Sequence, residues 1–67
     1  MAILKVIELL ASSKTSWEDA AANAAKEAGK SLRGVRSVNV QNQSAVVKNG
    51  KIVEYRLNCK VSFEVEK

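Results

Sequence analysis

Hydrophobic and polar residues alternate without a break near the end of the chain. Val53, Tyr55, Leu57, Cys59, Val61, Phe63 and Val65 fall on one parity. Glu54, Arg56, Asn58, Lys60, Ser62, Glu64 and Glu66 fall on the other. A period of two predicts a strand over Lys51–Glu66 with one buried face. Val35–Val47 reads as another long strand. Asn49-Gly50 lies between the two, and this pair supplies the left-handed backbone of a two-residue hairpin turn. Such a turn sets Lys48 opposite Lys51, and so pairs residues whose numbers add to 99. Val46 then meets Val53, Val40 meets Cys59 and Val38 meets Val61 on the apolar face. The polar face gathers Ser37, Asn39, Gln41 and Gln43 beside Ser62, Lys60, Asn58 and Arg56. Two independent patterns agree on this register, although a bulge in the longer strand would shift part of it.

Ala2–Leu10 is apolar on both parities, with Ile3, Ile7 and Leu9 on one and Leu4, Val6 and Leu10 on the other. That predicts a strand covered on both faces, followed by a polar turn over Ala11–Lys14. Thr15-Ser16-Trp17-Glu18 has the spacing of a capping box, with Thr15 accepting from the Glu18 N–H. Glu18 and Asp19 suit the positive end of a helix dipole. The helix is expected to run to about Arg33 and stop at Gly34. Trp17, Ala21, Ala24, Ala28 and Leu32 share one face, and Glu18, Lys26, Lys30 and Arg33 lie off it. An alanine face lets a helix approach a sheet closely but buries little area.

The order is β-α-β-β, an α+β fold in one domain spanning residues 1–67. A helix crossover makes the first two strands parallel, and the hairpin makes the third antiparallel to both. The expected three-stranded sheet has order 1-3-2, with the helix on one face. The last strand spans roughly 50 Å and the helix roughly 26 Å. One short helix leaves about half of the apolar row uncovered, and two edge strands stay open. An obligate homo-oligomer is the expected consequence. The alternative is a strongly curved sheet that wraps the helix.

Composition narrows the chemistry. The chain has 67 residues, 46% hydrophobic and 27% charged, with a net charge of +4, one cysteine and no histidine. A domain this small is marginal on its own and is usually supplemented by disulfides, metal or association. One cysteine excludes an intrachain disulfide. The lack of histidine removes the usual zinc sites and the Ser-His and Cys-His catalytic pairs. No enzyme is expected. Lys5 and Glu8 interrupt the apolar start, and no basic leader frames it, so neither a signal peptide nor a membrane span is read there. A cytoplasmic location is expected. The positive charge is scattered, which favours an anionic partner only weakly.

Several stretches carry a resemblance over nearly the whole chain: Lys5-Val6-Ile7-Glu8-Leu9, Ser16-Trp17-Glu18-Asp19-Ala20-Ala21, Leu32-Arg33-Gly34-Val35-Arg36, Glu54-Tyr55-Arg56 and Lys60-Val61-Ser62-Phe63-Glu64. In order and spacing they resemble the dodecin family. The resemblance implies a sheet curled around one helix and twelve chains forming a hollow shell. It implies flavins such as riboflavin or FMN bound in pairs between subunits, stored or quenched without catalysis. The family's stacking tryptophan falls at Ser37, its ring-edge glutamine at Arg56, and an arginine used for a flavin phosphate at Ser44. Serine offers no π face, so flavin binding should be weak or lost. Trp17 matches a structural aromatic. The resemblance also implies a cation, calcium included, as an alternative ligand, as in some members that lack the stacking tryptophan.

Each candidate also has a plainer reading. Ser37, Asn39, Gln41 and Gln43 could line a ligand pocket or form a solvated strand face. Glu54, Glu64 and Glu66 alternate on one face, and Glu64 and Glu66 could hold a hard cation where several chains meet; otherwise they are solubilising charges. Cys59 lies on the apolar row and is expected to pack as a small hydrophobe. A nucleic-acid module is the outside reading. Against it, Tyr55 and Phe63 sit in the apolar row and Trp17 in the helix, leaving no aromatic free to stack on bases.

Overall fold

The computed structural model describes residues 3–65. Strand β1 (Leu4–Ser13) leads into helix α1 (Trp17–Ser31), then β2 (Val35–Lys48) and β3 (Lys51–Glu64). The sheet order is β1-β3-β2, and β3 runs antiparallel to both neighbours. The fold class and topology are those predicted. The starts of the predicted first strand at Ala2 and of the predicted tail at Glu66 lie outside the described residues.

Strand β1 runs to Ser13, three residues beyond its expected end, and this moves the helix cap. Ser13 is buried. Its Oγ accepts from the backbone N–H of Thr15 at 2.9 Å and donates to Asp19 Oδ2 at 2.6 Å. Thr15 therefore stays in the turn. The N-cap is Ser16, whose Oγ accepts from the Asp19 N–H at 3.0 Å, in place of the Thr15–Glu18 box. At the other end Leu32 turns extended and donates its N–H to Ala28 O at 2.8 Å, so the helix closes two residues before Arg33. Asn49 and Gly50 both have positive φ, 53° and 77°, as a two-residue hairpin turn of the predicted type requires.

The core lies between the helix and the middle strand. Ala20 and Ala24 pack with Leu57 and Cys59, and with Ala28 and Val61 these are the buried apolar residues among those described. Ala20 takes the central place predicted for Ala21, which packs at the flank with Trp17, Ala11 and Val38. The molecule measures 51 × 19 × 13 Å. Fourteen residues of β3 extend about 46 Å, against about 22 Å for the fifteen-residue helix. The hairpin overhangs accordingly: Val47, Ile52 and Val53 are 59%, 49% and 41% exposed. On β1, Ile7 and Leu9 pair with Val61 and Cys59 on the helix side, while Leu4, Val6 and Leu10 occupy the outer side at 52%, 59% and 69% exposure. The expectation that both faces of β1 are covered is therefore not met within one chain.

Candidate functional site

The outer side of the hairpin holds most of the sequence candidates, and its geometry is set by bulges. Paired residue numbers add to 98 at Val35↔Phe63, to 99 from Ser37 to Val40, to 100 from Asn42 to Val46, and to 99 again at the turn. Each shift leaves one residue unpaired: Arg36, then Gln41, then Val53. The uniform register of 99 holds at Val38↔Val61, Val40↔Cys59 and Lys48↔Lys51, but fails between them.

The polar row changes membership as a result. Ser37 and Asn39 stand opposite Ser62 and Lys60, as predicted. Gln41 is the bulge residue, and Gln43 faces Leu57 on the apolar side. Asn42 and Ser44 take the places expected of Gln41 and Gln43, opposite Asn58 and Arg56. The apolar row changes too, since Val46 faces Glu54 and Val53 has no partner. Sequence parity does not place the bulge at Gln41, because Gln41, Asn42, Gln43 and Ser44 are all polar.

Ser37 Oγ and Ser62 Oγ share a hydrogen bond of 2.5 Å. The bulge at Arg36 lets its guanidinium reach the Glu64 carboxylate. That hydrogen bond first, and the carboxylate's charge second, push the Arg36 guanidinium further above its ordinary range. Gly34, at φ 69°, lies under Glu64: a Cβ here would sit 3.4 Å from the Glu64 backbone oxygen. Gly34 O also accepts from the Glu64 N–H at 2.9 Å. At the other end of the row, Arg56 Nε donates to Glu54 Oε1 at 2.8 Å. Glu64 and Glu54 are thus each held by an arginine of the same chain, and Glu66 lies outside the described residues. Among the described residues no three acidic or cysteine side chains gather as a metal site.

The aromatic residues are placed elsewhere. Trp17 and Tyr55 meet edge to face, with ring centres 4.9 Å apart and planes at 77°. Trp17 Nε1 donates to the backbone carbonyl of Ser44 at 3.0 Å, which ties the helix start to β2. Phe63 pairs with Lys5 and Val35 on the helix side of the sheet. Ser37 and Arg56 share the outer side but stand six residues apart along β3 (Ser37 is opposite Ser62), about 20 Å. Buried Cys59 has its thiol pushed up by desolvation, and it packs as a hydrophobe as expected.

A dodecin family model matches residues 3–66. The chain belongs to the dodecin family. Among its relatives is the calcium dodecin of Mycobacterium tuberculosis, 37% identical over 65 residues, covering 97% of this chain and 92% of that one. The crystal structure of that calcium dodecin, described as a calcium-chelating antigen with a novel calcium-binding site, superposes with a TM-score of 0.82 at 40% identity and covers 96% of this chain and 91% of that one. An engineered variant of the Thermus thermophilus dodecin gives 0.93 at 25% identity, with all of both chains covered. A Streptomyces coelicolor dodecin gives 0.94 at 21%, covering 98% and 94%, a likeness of fold alone. Among the described residues no helix is long and apolar enough to cross a membrane.

Proposed function

We propose that this dodecin is the subunit of a non-catalytic homo-oligomeric shell, built on the dodecameric plan, that sequesters a small ligand in the cytoplasm. The ligand in this reading is a divalent cation such as calcium, and flavin binds weakly or not at all. One observation carries it. The position where a flavin-stacking ring is expected holds Ser37, whose hydroxyl is engaged by Ser62. Trp17, Tyr55 and Phe63 all sit on the helix side, so the outer row offers a flavin hydroxyls and amides but no π surface. Arg56 in place of the ring-edge glutamine can donate but not accept.

The similarity to a protein named calcium dodecin supports the cation. Hard cations take six to eight oxygen ligands. Glu64 and Glu66 are the acidic candidates, drawn from several chains around a symmetry axis; Glu64 is held by Arg36 within one chain, so a cation there competes with that pair. The exposed outer stripe of Leu4, Val6 and Leu10 supports assembly. Calorimetry of calcium, magnesium and riboflavin against the protein, with sedimentation to fix its mass, tests the reading. Calcium binding to a multimer supports it. A folded monomer, or riboflavin bound more tightly than calcium, overturns it.

A further inference from the structure

Asn49 and Gly50 form the tip of the β2–β3 hairpin, and both are exposed. Asn49 alone among the asparagines precedes a glycine; Asn23, Asn39, Asn42 and Asn58 precede bulkier residues and lie inside the helix or the strands. Among the described residues the Gly50 N–H enters no turn hydrogen bond. A Cβ at Gly50 would meet nothing within 4 Å, so the space beside its nitrogen is open. The tip is also weakly held. Beyond Val46↔Glu54 only two rungs remain, Val47↔Ile52 and Lys48↔Lys51, because Val53 is bulged out of the ladder. Lys48 stands directly opposite Lys51, and like charges so placed oppose pairing. Val47 and Ile52 have no core to grip, being 59% and 49% exposed. Hairpin ends of this kind open locally at little cost in free energy. Opening lets the Asn49 side chain swing toward the nitrogen that follows it.

We infer that Asn49 is a site of spontaneous covalent modification, at which water converts the amide to aspartate and isoaspartate through a cyclic imide. Hydroxide takes the proton of the Gly50 N–H. The nitrogen's electron pair attacks Asn49 Cγ, and the new bond closes a five-membered ring. The Cγ–Nδ2 bond breaks, and Nδ2 takes up a proton and leaves as ammonia. Water then opens the ring. Cleavage at Cγ gives aspartate, and cleavage at the main-chain carbonyl carbon gives isoaspartate. The sum is one water consumed and one ammonia released, with no change of oxidation state. Glycine leaves the attacking nitrogen unhindered. The ammonium groups of Lys48 and Lys51, on either side of the pair, favour the deprotonated nitrogen. The two products act differently on the tip. Aspartate keeps the two-residue turn and sets a carboxylate beside two lysines that otherwise repel. Isoaspartate adds a carbon to the main chain of a turn whose length fixes the register, so the outer two rungs must give. The site is independent of the cation reading above and of the row at Ser37.

The test is timed incubation of the unmodified, assembled protein at neutral pH, with a parallel sample in urea. Cleavage after glutamate frees the peptide Ala28–Glu54, which carries Asn39, Asn42 and Asn49 together. Mass spectrometry with fragmentation then reads which of them has become an acid. Conversion at Asn49 should run at least about tenfold faster than at Asn39 or Asn42, and within about tenfold of its own rate in urea. Both aspartate and isoaspartate should form, and the rate should rise at least about tenfold over two pH units as the nitrogen deprotonates. The double variant K48Q/K51Q removes the flanking charge and the repulsion together, and should slow the reaction about threefold or more. The variant K26Q/K30Q removes equal charge from the helix and should leave the rate within about twofold. A native rate more than about tenfold below that in urea overturns the proposal, because the folded turn then protects the amide. So does conversion of Asn39 or Asn42 as fast as Asn49. So does aspartate formed without isoaspartate, which excludes the imide, and so does equal slowing by the two variants.

Discussion

Restoring an aromatic ring at position 37 tests the account of the outer row most directly. Ser37→Trp removes one hydroxyl–hydroxyl hydrogen bond to Ser62, on a surface where water replaces it. Such a loss costs about 0.5–1 kcal/mol at most. The position is exposed and its neighbour across the strand is small, so an indole fits without displacing the core. Stacking a planar ring on an aromatic side chain contributes about 1–3 kcal/mol. Flavin affinity should therefore rise between roughly fivefold and 150-fold. Titration of riboflavin fluorescence reads it out, because a stacked flavin is quenched. Ser37→Leu is the control, since it adds apolar area without a π face. If riboflavin binds the tryptophan variant within a factor of about two of the parent, with the oligomer mass unchanged, the missing ring is not what excludes flavin.

Other expectations follow from the same geometry. Leu10→Glu places a charge in the most exposed part of the outer apolar stripe, and sedimentation should show smaller particles with the circular dichroism of the parent; an unchanged mass would remove that stripe from the interface. Trp17→Phe keeps the ring against Tyr55 but deletes the donor to the Ser44 carbonyl, which should lower stability by about 1 kcal/mol in urea titrations and speed amide exchange over Ser44–Val46. Burial pushes the Cys59 thiol above its ordinary value of 9.0, so the folded chain keeps the proton where the unfolded chain loses it. That contribution is full below about pH 9 and is lost as pH rises further; Cys59→Ala should flatten the alkaline decline, and the native thiol should resist labelling at pH 8 until denaturant is added.

Much of the fold is legible in the chain because its signals are local and redundant. Asn49-Gly50 sets the turn, and the alternation from Val53 to Val65 marks the strand. The topology then follows from connection rules. The cap lies one residue beyond the spacing's Thr15 because the deciding residue, Ser13, acts through burial and through Asp19, six positions on, and no spacing rule contains that. The uniform register holds at Val38 and Val40, slips in the polar run 41–44, where either parity looks acceptable, and stays shifted through Val46, whose expected partner Val53 is bulged out of the ladder. The candidate site was legible in part. The replacement of a ring by Ser37 shows in the sequence, but the partners of Glu64 and Glu54 depend on where two arginines are aimed by bulges and pairing.

Arg36, Gln41 and Val53 stand outside the ladder, and the cross-strand partnerships around them are continuous. Splicing out all three would leave every partnership between β2 and β3 as it is, and would yield a shorter, straighter ribbon. Apart from the ion pair of Arg36 with Glu64, what these residues contribute is bend. In the shell proposed above, the lean of one copy toward the next would follow from three inserted positions that tie no rung, and a descendant of this chain would retune the radius of that container by losing or gaining one of them while its core stayed untouched.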